Sequence, residues 1–286
     1  MISKGDQRNQ PIGPLANGQS VFVDRESEAG RLREAILKRQ SLVLCGPAGI
    51  GKTALMTKVC SELPQDVARA TLCLSSIDGL RSLLRGLLWK LYAVGDPTLR
   101  RQLHTEGVRH DTFKAWLNSL ITSRLKGALY RSMETGQYWV FLDHLPPLTH
   151  AVAKVIRELM WMRNTPVYLV VRGSGTEEAG QAVHLYWGER QRLAVGPLAE
   201  VAARQLLEFC VPRFGLAQME LDDFREEILE LSGRNPGVIV AMCSLASQSR
   251  YHYGSRIKTK LLHIDHLMSL QGSNVDAQKR GQGKGT

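Results

Sequence analysis

The sequence predicts an α/β chain, a parallel sheet with helices on both faces, followed by a small all-helical unit. Three observations carry this expectation. Apolar strand-like runs alternate with helical stretches as far as Val195; one of those runs leads straight into the glycine-rich segment Gly46 to Thr53; and after Pro197 the strand-like runs stop. Strands that alternate with helices pair in parallel, bury both faces and leave their carboxyl ends as the place for a ligand.

The elements follow in order. Residues 1–20 are polar with Gly and Pro, and read as a loose leader. Val21 to Val23 is a short apolar strand or turn, and in the next sixteen residues Ala29, Leu32, Ala35 and Ile36 recur at helical spacing. Asp24 stands where it could cap that helix, with Glu26 and Glu28 favourable in its first turn. Strands are expected at Ser41–Cys45, Ala70–Ser75, Gln137–Leu142, Pro166–Val171 and Arg192–Val195. Helices are expected at Ala54–Leu63, Leu80–Tyr92, Asp111–Met133 and Ala151–Met162, and then at Glu200–Cys210, Asp222–Leu231 and Pro236–Gln248. The chain thus divides into a leader (1–20), an α/β domain (21–195), a helical lid domain (196–270) and a basic tail (271–286) too poor in apolar residues to fold.

At 286 residues, 43% hydrophobic and 22% charged, the composition is that of a globular protein. No apolar run approaches the ~18 residues of a membrane span, and the polar N-terminus has no secretory signal, so a cytoplasmic protein without membrane contact is expected. Five scattered cysteines, at 45, 60, 73, 210 and 243, have no metal or redox spacing and read as reduced core residues. Of the net charge of +10, the stretch from Arg250 onward supplies seven Lys/Arg against two Asp/Glu.

Gly46-Pro47-Ala48-Gly49-Ile50-Gly51-Lys52-Thr53 matches G-x-x-x-x-G-K-[ST] at every fixed position. The glycines let the backbone wrap tightly, so that successive amides and the helix N-terminus beginning near Ala54 face a β-phosphate. Lys52 offers a point charge to the β- and γ-phosphates, and the Thr53 hydroxyl suits Mg²⁺. ATP with Mg²⁺ is the expected ligand, and the fold class becomes that of the P-loop NTPases. Tyr138 to Leu142 is an apolar strand delivering Asp143 to the same edge, where a carboxylate serves as the second residue of the Mg²⁺ site.

With these two motifs, one further strand lying between them in sequence, the chain resembles the AAA+-related ATPases of the STAND and origin-recognition type over about residues 21–250. Phe22-Val23-Asp24-Arg25-Glu26 is similar to their hhGRE motif, which implies adenine contact at Val23; Asp24 replaces the family's usual Gly. Tyr168 to Arg172 ends like the family's sensor strand, implying γ-phosphate contact by Arg172, although a surface Arg after a strand reads the same. Leu193 to Leu198 resembles the passage into the lid, or a plain strand and turn, and serves here only as a boundary. Gly233-Arg234-Asn235-Pro236 resembles the GxP motif, in which the proline packs on adenine, and is also a helix break. Where relatives place Asp or Glu after the Mg²⁺ aspartate, to prepare the attacking water, this chain has His144. A neutral imidazole accepts a proton near pH 7, but slow hydrolysis is equally compatible with that residue.

Three functions remain open at this level: a switch that hydrolyses MgATP to change partner contact or assembly, an ATP-binding scaffold without turnover, and a DNA-associated helper ATPase. The last is motivated by Arg250, Arg256, Lys258 and Lys260 interleaved with Tyr251 and Tyr253, which is also how a solvated helix end reads. His263 and His266 share a helical spacing without a third ligand and read as surface residues.

Overall fold

The computed structural model describes residues 24–173, 179–185 and 188–269. The expected leader and tail and the strand or turn at Val21–Val23, with its adenine contact, lie outside the described residues.

Five strands, β1 (Leu42–Gly46), β2 (Thr71–Leu74), β3 (Trp139–Leu142), β4 (Val167–Arg172) and β5 (Arg192–Ala194), form one all-parallel sheet in the order β2-β3-β4-β1-β5. Their unbroken apolar runs sort by the period of two that a pleated strand imposes. Val43, Cys45, Val140, Leu142, Val167, Leu169 and Val171 join the core under one face. Leu42, Leu44, Trp139, Phe141, Tyr168 and Val170 join the core under the other.

The first face is covered by α4 (Leu80–Val94), α5 (Pro97–Thr105), α6 (Phe113–Ser119), α7 (Thr122–Thr135) and α8 (His150–Trp161), with Leu83, Leu87, Leu91, Phe113, Leu129 and Ile156 in its core. The opposite face is covered by α1 (Glu26–Leu37), α2 (Lys52–Ser61) and the short α3 (Gln65–Arg69). The single helix expected over 111–133 is two. The chain leaves the helical region at Leu120 (ψ 137) and Ile121 (ψ 159), so that Leu120 turns into the core while Ile121 stays exposed. α5 was not anticipated; Pro97 at its first turn and Asp96 capping Leu99 N at 2.6 Å start it.

Helices α9 (Glu200–Arg213), α10 (Asp222–Leu231) and α11 (Pro236–Ala246), with a last helix α12 over 259–269, enclose a separate apolar core that includes Leu206, Phe224, Ile228, Met242 and Leu262. The expectation that no strand follows Pro197 is corrected by a two-residue hairpin, His252–Tyr253 against Arg256–Ile257. All five cysteines are free, but Cys73 is exposed and Cys60 only half-buried; Cys45, Cys210 and Cys243 alone are core residues. On the short β2 strand, Cys73 points away from the face that Leu72 buries.

Candidate functional site

β1 is an interior strand of the sheet, flanked by β4 and the edge strand β5, and the chain turns at once from its end through residues 47–51 into α2. A Cβ at Gly46 would collide with the Val195 carbonyl, so the loop can start here only with glycine. The first-turn amides of α2, at Lys52, Thr53 and Ala54, have no acceptor within the helix and form the donor end of its dipole. Lys52 is 7% exposed, and its Nζ donates to the carbonyls of Gly46 (2.7 Å) and Pro47 (2.8 Å), which draws the ammonium group into the loop's own curve. Thr53 follows it, half-buried, and Ile50 is buried beneath the loop.

Asp143 comes directly after β3 and is 4% exposed. Its amide donates to Leu74 O (2.9 Å), and one carboxylate oxygen, Oδ1, accepts the amide of His144 (2.7 Å). β4 stands between β3 and β1, so Asp143 approaches the loop from two strands away. The spacer in space is therefore β4, not the β2 strand that intervenes in sequence. His144 takes a left-handed backbone (φ 49) with its ring 58% exposed, and Nε2 lies 3.7 Å from Asp143 Oδ2. Arg172 closes β4 in register with Gly46 and is exposed. Gly173 N then donates to Gly46 O (2.9 Å), tying the two strand ends together. A cleft of about 330 Å³ opens beside them, lined by Cys45, Pro47, Gly173, Arg192, Val195 and Gly196.

Two elements distant in sequence hold this loop, and neither contact is legible from the motif. The first is Arg25, only 5% exposed, whose NH2 donates to Ile50 O and to Gly196 O, both at 2.8 Å, while NH1 pairs with Glu28 at 3.2 Å. Trp139 Nε1 to Ile36 O (3.0 Å) and Tyr168 OH to Ala35 O (3.2 Å) pin the far end of α1 to the sheet and so fix where Arg25 sits. Asp24 does not cap α1; it and Arg25 adopt φ of 60° and 82°. That left-handed turn is what a glycine in this position would accommodate without cost, and Asp is among the residues that tolerate it.

The second is the start of α11. Asn235 caps it through Oδ1 to Gly237 N (3.0 Å) and uses Nδ2 to donate to Ala48 O (2.9 Å), while Gly237 N also donates to Gly49 O (3.0 Å). The backbones meet so closely that a Cβ on Gly237 would lie 2.7 Å from Gly49 Cα. Pro236 borders the same loop, its Cγ 3.8 Å from where a Cβ on Gly51 would stand. The segment identified as a proline motif or helix break thus lies against Gly49–Gly51.

The residues present fit a magnesium-bound triphosphate: a glycine loop with a helix N-terminus for phosphate, a buried ammonium beside it, and a hydroxyl and a buried carboxylate, hard oxygen donors of the kind Mg²⁺ takes. The remaining candidates fare differently. Tyr251 is fully buried, donates to Asp265 (2.7 Å) and carries the Arg250 guanidinium on its ring, and Arg250 and Arg256 face Asp265 and Glu220. Lys258, Lys260 and Tyr253 of that stretch are exposed as well. His266, expected at the surface, is buried, and burial lowers its pKa. No metal-binding cluster of His, Cys, Asp or Glu occurs, and no helix is long and apolar enough to cross a membrane, among the described residues.

No protein-family model matches the sequence, and no curated protein matches it. Among solved structures the chain is similar to the Walker-type ATPase PABY2304 of Pyrococcus abyssi, at 15% identity over 91% of this chain and 76% of that one, with a TM-score of 0.55. It is also similar to the Aeropyrum pernix ORC1 protein, solved in complex with DNA, at 14% identity over 86% of this chain and 66% of that one, with a TM-score of 0.53. At such identities the likeness is one of fold. The parallel sheet in the order β2-β3-β4-β1-β5, helices on both faces and the Gly46–Thr53 loop leaving the interior strand β1 give this chain the P-loop NTPase fold.

Proposed function

We propose that the chain binds MgATP at Gly46–Thr53 and that the bound nucleotide sets the position of the helical unit against the α/β domain, making a cytoplasmic switch for contact with a protein partner or a second copy. The observation that carries this reading is the seam between α11 and the loop. Asn235 and Gly237 bond to the carbonyls of Ala48 and Gly49, so a change in the loop's backbone is felt directly by the helical core. A ligand shifts such an arrangement by its difference in affinity for the two positions.

In this reading the α2 amides and Lys52 bind and neutralise the phosphates, Thr53 and Asp143 hold the metal, and Arg172 senses the γ-phosphate from the end of β4. Pro236 borders the base or sugar side. Mg²⁺ supplies charge neutralisation at the β- and γ-phosphate oxygens. Isothermal calorimetry of MgATP with wild type and Lys52→Ala tests the site: loss of measurable heat in the variant is expected, and an unchanged affinity overturns the reading.

A second reading, an ATP-holding scaffold with little turnover, is favoured by His144. Its ring is exposed and it stands where hydrolysing relatives carry an acid. Phosphate release, measured alone and with DNA or candidate protein partners, separates the two. Multiple turnovers that vanish in Asp143→Asn support the switch; binding without turnover supports the scaffold.

A further inference from the structure

We infer that the helices between β2 and β3 carry a second binding surface, distant from the P-loop, and that its ligand is single-stranded nucleic acid. From Leu80 to Thr135 the chain has ten Lys/Arg against four Asp/Glu, a local excess of positive charge larger than that of the C-terminal stretch. The acids here are mostly spoken for. Asp96 is buried and accepts from Leu99 N and Tyr138 OH. Glu106 accepts from Gln102, Trp116 and Arg124, and Asp111 faces Arg109 at 3.6 Å. Arg100, Arg101 and Lys114 are exposed, and no carboxylate pairs with any of them among the described residues.

Aromatic rings lie among these cations. Tyr92 stacks on Phe113 with centroids 3.9 Å apart, and Phe113 is flanked by Trp89 at 5.5 Å and Trp116 at 5.7 Å. Trp89, at one end of the row, is 46% exposed. At the other side Tyr92 meets His110 (5.7 Å) and borders a cleft of about 490 Å³ whose rim includes Arg100, His104 and His110.

Trp89, open to solvent on a helical layer that also carries the exposed Arg100, Arg101 and Lys114, offers a base a stacking face while those cations offer a phosphate its counter-charge, which is how strands are bound without sequence reading. A stacked duplex hides its base faces from such a ring, so the exposed Trp89 favours a single strand. The charge complementarity is with a polyanion, and the surface requires no nucleotide in the P-loop.

The test is fluorescence anisotropy of a labelled oligo(dT) of about 20 nucleotides titrated with the full chain at low and moderate salt. Expected are binding that weakens as salt rises, a loss of about tenfold in Trp89→Ala, recovery in Trp89→Phe, and a larger loss in the double variant Arg100→Glu/Lys114→Glu. All three side chains substituted, Trp89, Arg100 and Lys114, are solvent-exposed, so melting temperatures should match wild type and report that folding is intact. Oligonucleotide binding that these variants leave unchanged, while the exposed C-terminal pair Lys258→Glu/Lys260→Glu removes it, overturns the proposal in favour of the C-terminus. Binding of polyglutamate with none of oligo(dT) overturns it in favour of an acidic peptide, and binding of neither overturns it outright.

Discussion

The side-chain amide of Asn235 donates to the carbonyl of Ala48 across 2.9 Å, joining the first turn of a helix in the C-terminal core to a phosphate-type loop 187 residues earlier in the chain. With its other atom, Oδ1, the same residue caps its own helix at Gly237 N. One side chain therefore both starts α11 and fixes where that helix meets the loop.

Replacing Asn235 by Ala removes the cap and the bond to Ala48. A cap is worth about 1 kcal/mol, so a loss of this order in urea unfolding is expected. Faster amide exchange in residues 46–53 should accompany it. Exchange in the loop equal to wild type would mean that the helical unit does not restrain it.

Arg25→Ala leaves the buried carbonyl of Ile50 and the half-buried one of Gly196 without their guanidinium donor. Each such carbonyl costs roughly 1–3 kcal/mol when unsatisfied. The unfolding free energy should fall by about that amount, and MgATP affinity with it. Arg25→Lys should recover only part of both, since an ammonium group lacks the planar fork that spans two acceptors. Full recovery by Lys would show that charge alone matters.

Gly237→Ala places a methyl group 2.7 Å from Gly49 Cα, and neither partner is a flexible side chain that can give way. Overpacking of this sort costs about 1–3 kcal/mol. The expected result is a lowered melting temperature and weakened nucleotide binding together, measured by calorimetry. A variant as stable and as tight-binding as wild type would require that α11 ordinarily stands off the loop.

Glu158 supplies a pH dependence. Burial raises its pKa, but hydrogen bonds from Lys126 (2.8 Å) and Tyr130 outweigh that and hold the carboxyl below its ordinary value. A carboxyl whose pKa is depressed by folding stabilises the native state above its unfolded value, near 4.5, and loses that contribution as pH falls through the folded one. Melting temperatures of wild type should therefore drop more steeply from pH 6 to pH 3 than those of Glu158→Gln. Parallel profiles would remove Glu158 from the acid response.

What could be read in advance was local. Gly46 to Thr53 is legible because every fixed position serves one backbone turn, and Asp143 because a strand four or five residues long must deliver its next residue to the sheet edge. The break at Leu120–Ile121 was not legible, since apolar residues on both sides keep a helical spacing and only packing against the sheet bends the chain there. Tyr251 reads as an aromatic in a basic stretch until the fold buries it against Asp265.

The sequence by itself determined the parallel sheet, the loop between a strand and a helix and the residues fit to meet a magnesium-bound triphosphate, because these follow from patterns within single elements. Only the tertiary structure decided which residues restrain that loop. Arg25 reaches Gly196 across 171 positions and Asn235 reaches Ala48 across 187, and no local periodicity records such contacts. They exist because two separately formed cores, one on the sheet and one among the C-terminal helices, come to rest on either side of the loop and bring donors from distant segments within reach of its backbone.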